Sequence, residues 1–170
     1  MKSLKKNVSI VAMLVVIGTS SMISVNASAA SSSNCNSTFT VGKLCYKVGS
    51  NNTCSVVGLS NKGQNSTSCT IPSTVTCNGT TYKVTNISKN AFNDCDNIKS
   101  VFVSNNVKTI GANAFKDCDN LKSVSLGSKV NKVGSNAFSS CDRLKTIKST
   151  KKITSLGKNC FGNATYKFSK

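Results

Sequence analysis

NAFNDCDNIKSVFV at 90–103, NAFKDCDNLKSVSL at 113–126 and NAFSSCDRLKTIKS at 136–149 are one unit written three times. Phe92, Phe115, Phe138 and Phe161 stand 23 residues apart, and so do Asn90, Asn113, Asn136 and Asn159. The same step links Cys95, Cys118 and Cys141, then Ile98, Leu121 and Leu144, then Val101, Val124 and Ile147. Val107, Val130 and Ile153, with Ile110, Val133 and Leu156, complete the unit. A fixed period of this length marks a solenoid, in which each copy hides its apolar side against its neighbours because it cannot bury that side alone.

Spacing within a unit predicts its shape. Ala114, Cys118 and Leu121 recur at four and three residues, with Phe115 beside them, which predicts about two turns of helix with one apolar face. Asn113 stands where an N-cap belongs, its side-chain oxygen placed to accept from a first-turn amide. After Leu121 the period falls to two: Val124 and Leu126 point inward, Ser123 and Ser125 outward, as in a short strand. Val130 and Val133 add a second apolar contact before Gly134 turns the chain. The expected fold class is therefore an α+β repeat solenoid with 23-residue rungs of strand, return segment and short helix.

These runs resemble the BspA-type leucine-rich repeats of bacterial surface proteins, with a helical Ala-Phe, then Cys, then a Leu-x-x-Ile-x-Ile strand, from about Cys69 to Phe161. The resemblance implies a right-handed leucine-rich-repeat solenoid used for attachment to host matrix proteins or to other cells. It implies no reaction.

Upstream, Ile71 and Val75 are spaced like Leu126 and Val130, which puts Cys69 at the inward Val124 position. Between Val75 and Ile87 lie 12 steps where a regular rung has three, so nine residues are inserted. Asn78-Gly79 inside that insertion signals a tight hairpin. Leu44, Tyr46 and Val48, followed by Val57 and Leu59, predict a second one. Residues 41–68 are thus expected to form an N-terminal β-hairpin cap on a solenoid spanning 69–170, because an open solenoid end would expose core.

Residues 1–29 carry the pattern of a secretory signal peptide: Lys2, Lys5 and Lys6, an apolar run from Val8 to Gly18, and the small-x-small site Ala27-Ser28-Ala29. The run is shorter than the roughly 20 residues needed to span a bilayer, and no membrane span is expected in the mature protein. Residues 30–40, rich in Ser and Asn, are expected to be a disordered leader. The product is expected to be secreted, extracellular or associated with the cell surface. With three lysines removed, 19 of the 22 basic residues face five acids, a net +14. Such a field attracts polyanions, anionic wall polymers among them, although lysines also simply solvate the outside of repeats.

Catalysis is disfavoured by what is missing. With no His and no Glu, the usual acid–base groups reduce to Asp and Lys. Asp94 and Asp117 share one repeat column, and Asp96, Asp119 and Asp142 another, so the repeat explains all five acids. A calcium ladder along them is the alternative, but its ligands are sparse. No metal and no cofactor are expected, and the cysteine column lacks the close pairs of a zinc site. Nine cysteines leave at least one thiol unpaired within a monomer. The repeat cysteines are expected to be structural thiols on an apolar face, and Cys45 and Cys54 to form a disulfide across the first hairpin.

Strand alternation sends Val101, Val124 and Ile147 inward. Ser100, Ser123 and Thr146 should form one outward column, and Phe102, Ser125 and Lys148 the next. These six residues are the expected binding site for an extracellular protein or glycan. Phe102 is either an exposed anchor or a residue packed under the Asn78-Gly79 hairpin. At the far end Lys167 falls on the leucine column, leaving Tyr166 and Phe168 to shield the last rung, which points to an end-to-end homodimer. Two functions fit: an adhesin-like binding module, or a structural wall-associated protein retained by its basic charge.

Overall fold

The structure, a computed structural model, describes residues 37–168. The signal-peptide segment and residues 30–36 of the leader lie outside the described residues. The cap is built from β1 (Thr38–Val41), β2 (Leu44–Val48), β3 (Thr53–Leu59), β5 (Thr74–Cys77) and the long β6 (Thr80–Ile87). The repeats supply β4 (Ser68–Ile71), β7 (Ser100–Val103), β8 (Thr109–Ile110), β9 (Ser123–Leu126), β10 (Lys132–Val133), β11 (Thr146–Ser149), β12 (Ser155–Leu156) and β13 (Thr165–Phe168).

Each rung contributes one four-residue strand and one two-residue strand, and these stack into two sheets. The longer strands form a parallel sheet in the order β13-β11-β9-β7-β4. The shorter strands extend a second sheet, β1-β2-β3-β6-β8-β10-β12, whose cap end is antiparallel and onto which β5 pairs beside β6. Ser100 lies opposite Ser123, and Ser123 opposite Thr146, each 23 residues along. Between the sheets run the buried columns. The Phe92 and Phe115 rings stack at 4.8 Å and 6°, and Phe115 and Phe138 at 5.1 Å and 3°.

The expected helix is absent, and among the described residues there is no helix at all. The hydrogen bonds explain why. The amides of Asn90, Phe92 and Asp94 donate to the carbonyls of Ala112, Ala114 and Lys116 in the next rung, at 3.1, 2.7 and 2.9 Å. Those of Asn113, Phe115 and Asp117 repeat the pattern to Ser135, Ala137 and Ser139. An α-helix needs its amides for carbonyls four residues back, and here they are committed between rungs. Short bonds from Lys116 to Asn113 and from Leu121 to Cys118 fold the segment into successive turns instead. Asn113 is consequently not an N-cap. Asn90, Asn113, Asn136 and Asn159 have φ of 58°, 54°, 56° and 53°, left-handed backbone that Asn tolerates better than most residues, whereas an N-cap sits in the β region.

Glycine marks the corner where rungs come closest. A Cβ on Gly111, Gly134 or Gly157 would fall 2.5, 2.4 or 2.3 Å from the backbone nitrogen of Lys89, Ala112 or Ser135. No side chain fits there.

At the N-terminal end, Ile87 pairs with Ile110 and Cys69 with Val101, as the spacing predicts. The nine inserted residues form the β5–β6 hairpin, turned at Asn78 and Gly79 with φ of 46° and 76°. The boundary of the leader moves, however. Phe39 lies in β1, is 2 % exposed and stacks on Tyr46 at 5.2 Å, so ordered core begins before residue 41. The Cys45–Cys54 disulfide is also overturned, since both are free thiols. Cys45 lies opposite Gly58 and Cys54 opposite Val48. Cys54 shares the core with Tyr46 and Val56, while Cys45 alternates away from Tyr46 and is only partly buried. Cys77 is disulfide-bonded.

The last rung is shorter than the rest. Thr146 pairs with Thr165, a step of 19 residues, so Tyr166 and not Lys167 continues the core beneath Ile147. Lys167 points outward beside Lys148 and does not interrupt the leucine column. The Tyr166 hydroxyl donates to the Lys151 carbonyl at 3.1 Å and accepts from the Ile153 amide at 3.0 Å. Leu156 and Phe168 are 50 % and 40 % exposed at this end.

Candidate functional site

Five parallel strands at a spacing of about 4.8 Å present one continuous outer face. Its first column is hydroxyl throughout: Ser68, Ser100, Ser123, Thr146 and Thr165. Its second reads Thr70, Phe102, Ser125, Lys148 and Lys167. All six residues expected from alternation therefore lie together on this face. Ser68 and Thr70 extend it at the cap end, and Thr165 and Lys167 at the other. The last pair was hidden because a 23-residue step applied to Thr146 overshoots the shortened rung.

Phe102 is 51 % exposed, flanked by Thr70 and Ser125 on the neighbouring strands. It does not pack under the Asn78-Gly79 hairpin, which belongs to the other sheet. Where β4 meets the cap, a cavity of about 570 Å³ opens between Leu44, Tyr46, Leu59 and Pro72 and reaches the outer columns at Ser68 and Thr70. The face thus grades from a partly apolar hollow, past one aromatic ring, to two lysines.

The acids lie before the strands, on the turns. The Asp96 carboxylate accepts the Asp119 amide of the next rung at 3.2 Å, a structural use of that column. Burial, followed by the charges of Asp96 and Asp142, raises the Asp119 pKa, while the hydrogen bond from Lys116 lowers that of Asp117. No group of three His, Cys, Asp or Glu among the described residues is placed to hold a metal. No helix among them is long and apolar enough to cross a membrane.

The cysteines serve the core. Cys118 and Cys141 donate through Sγ to the carbonyls of Phe92 and Phe115 at 3.1 and 3.0 Å. A hydrogen bond to Cys141, together with burial, pushes the Cys118 thiol up. It is a free thiol, as expected.

Residues 63–167 match the family model described as the BspA type leucine rich repeat region, in six copies. Among solved structures, the chain is similar to a leucine-rich repeat protein from Bacteroides capillosus, at 30 % identity and TM-score 0.72, covering 79 % of this chain and 100 % of that one. A leucine-rich repeat protein from Bacteroides ovatus is 25 % identical with TM-score 0.64, covering 76 % of this chain and 34 % of that one. The T. pallidum leucine rich repeat protein shares the fold at 18 % identity and TM-score 0.58, covering 75 % of this chain and 62 % of that one. None of the curated proteins searched matches the chain.

Proposed function

Because this chain belongs to the BspA-type leucine-rich-repeat family, we propose that it is a secreted, surface-associated binding module, adhesin-like, that takes an extracellular protein or glycan on the outer face of its five-stranded sheet. The observation that carries this is the half-exposed Phe102 ring set among hydroxyls on a regular strand face. A large exposed aromatic on an otherwise polar face can bury its ring in a partner and so serve as an anchor. Lys148 and Lys167 give the same face a cationic end suited to an acidic group on the partner. The disulfide at Cys77 fits an oxidising compartment, in keeping with export.

A screen of the purified chain against matrix proteins and glycans identifies the ligand. The double variant Phe102→Ser, Lys148→Gln should then bind about tenfold more weakly or worse, with its melting temperature nearly unchanged. Undiminished affinity would move the site off this face. A second function, retention on anionic wall polymers, is favoured by one observation: the lysines after the strands have no acidic partner, the ion pair found among the described residues being Lys116 with Asp117.

A further inference from the structure

Three successive corners between the long strands and the short strands bring lysines together. Lys108 precedes β8, Lys129 lies between β9 and β10, and Lys151 and Lys152 lie between β11 and β12. With Ser128 and Thr154 they line a cavity of about 390 Å³ that contains no acidic side chain. Lys129 and Lys152 occupy the same position in consecutive rungs, so their backbones are separated by about 4.8 Å, one strand spacing.

We infer that this corner is a binding site for phosphate or sulfate esters carried on a polyol or sugar polymer, separate from the outer strand face. Charge is the first ground. All five acids of the chain lie on the turns before the long strands, at Asp94, Asp96, Asp117, Asp119 and Asp142. A four-residue strand, about 13 Å long, stands between them and the lysine corner. That exceeds the screening length of about 8 Å at physiological salt, so the acids do not neutralise the corner.

Preorganisation is the second ground. The Lys151 carbonyl accepts from Ser149 Oγ at 2.7 Å and from the Tyr166 hydroxyl at 3.1 Å, and the Ile153 amide donates to the same hydroxyl. The loop that carries Lys151 and Lys152 is thereby pinned from both sides. Lys129 Nζ donates to Asn106 Oδ1 at 3.1 Å, a neutral partner that orients the ammonium without cancelling its charge. The Ser128 amide is held by Asn105 Oδ1 at 2.9 Å. Positions fixed before binding lower the ordering cost of association. A polymer is favoured over an isolated anion because each of three successive corners carries at least one lysine, so charges spaced along a chain meet them in series.

This site deepens the charge-retention reading, and the test separates the two. The purified chain is titrated, over a salt series, against immobilised polyol-phosphate wall polymer and against heparin, with single-stranded DNA as a third arm. The variants are a corner triple, Lys129→Gln, Lys151→Gln and Lys152→Gln, and an equal-charge control, Lys99→Gln, Lys122→Gln and Lys145→Gln, on the acidic side. The expected result is a loss of about tenfold or more for the corner triple and about twofold or less for the control, with both variants folded by circular dichroism. Stronger binding to the wall polymer or to heparin names the source of the ester. Equal losses in both triples would overturn the site and leave retention by diffuse charge standing. Absence of binding to both polymers by the unmodified chain would overturn retention itself, and tightest binding to DNA would overturn the assignment to an ester-bearing polyol or sugar.

Discussion

The Cys118 thiol donates to the Phe92 carbonyl at 3.1 Å, so a side chain of one rung closes a hydrogen bond on the backbone of the rung before it. Cys141 does the same for Phe115. The recurrence of cysteine thus has a cause beyond size: a small apolar group that still carries a donor. Replacing Cys118 with Val fills the space and deletes the donor, leaving a buried acceptor unmatched. The expected loss is about 1–3 kcal/mol, read from urea unfolding. Full stability of Cys118→Val would reduce the column to packing alone.

Phe115 lies between two parallel rings and has no exposed surface. Phe115→Ala should cost about 3–5 kcal/mol. Lys116→Ala removes a surface ion pair with Asp117, in which both side chains are 38 % exposed, and should cost no more than about 1 kcal/mol. Similar melting temperatures for the two variants would contradict the register.

Alkali should weaken the fold through its buried thiols. Burial pushes the Cys54 thiol up to about 11 and the Cys69 thiol up to about 12, from an ordinary value of 9.0. The protonated form is the one favoured in the fold. Its contribution is complete below the unfolded value and is lost as pH climbs from about 9 towards 12, because the unfolded chain then releases protons that the folded chain keeps. Melting temperatures measured under reducing conditions should fall across that window, and less so in Cys54→Ala relative to its own value at pH 7. An unchanged profile in that variant would assign the alkaline transition to other groups.

Leu156 and Phe168 leave apolar surface on the last rung, next to the outer edges of β12 and β13. Self-association through this end is the expected outcome, with mass rising with concentration in light scattering. The double variant Leu156→Lys, Phe168→Lys should shift the chain to monomer. A concentration-independent monomer before substitution would dismiss the contact.

Strand positions were legible because alternation has one structural meaning: inward Val101, Val124 and Ile147 require outward Ser100, Ser123 and Thr146. The segment from Asn113 to Leu121 misled because apolar spacings of four and three arise equally from a helix and from consecutive turns. The distinguishing signal lay in the polar residues. Asn113 and Asp117 adopt φ of 54° and 58°, and paired Asn and Asp four residues apart read better as two left-handed corners than as a helix. Phe39 was missed because one aromatic in a polar stretch carries no period. The shortened final rung was invisible because Phe161 keeps the 23-residue step and the deletion falls after it.

The amides of the turns give the stack a grain. Those of Asn90, Phe92 and Asp94, and their counterparts in the later rungs, point toward the following rung, whereas the corner amides of Gly111, Asn131, Gly134 and Gly157 point back to the preceding one. The two ends of the solenoid are therefore chemically unlike, as the ends of a directional filament are. Behind the first turn the cap closes the carbonyl side, where Gly58 approaches the Ala91 oxygen so nearly that a Cβ would sit 3.0 Å from it. Whatever prolongs the stack at the opposite end, whether more rungs or another molecule, meets donors along the turns and carbonyls at the corners, and must answer each in kind. Two copies meeting by that same end would set donors against donors along the turns, so only the strand edges and the apolar tip could hold such a pair together.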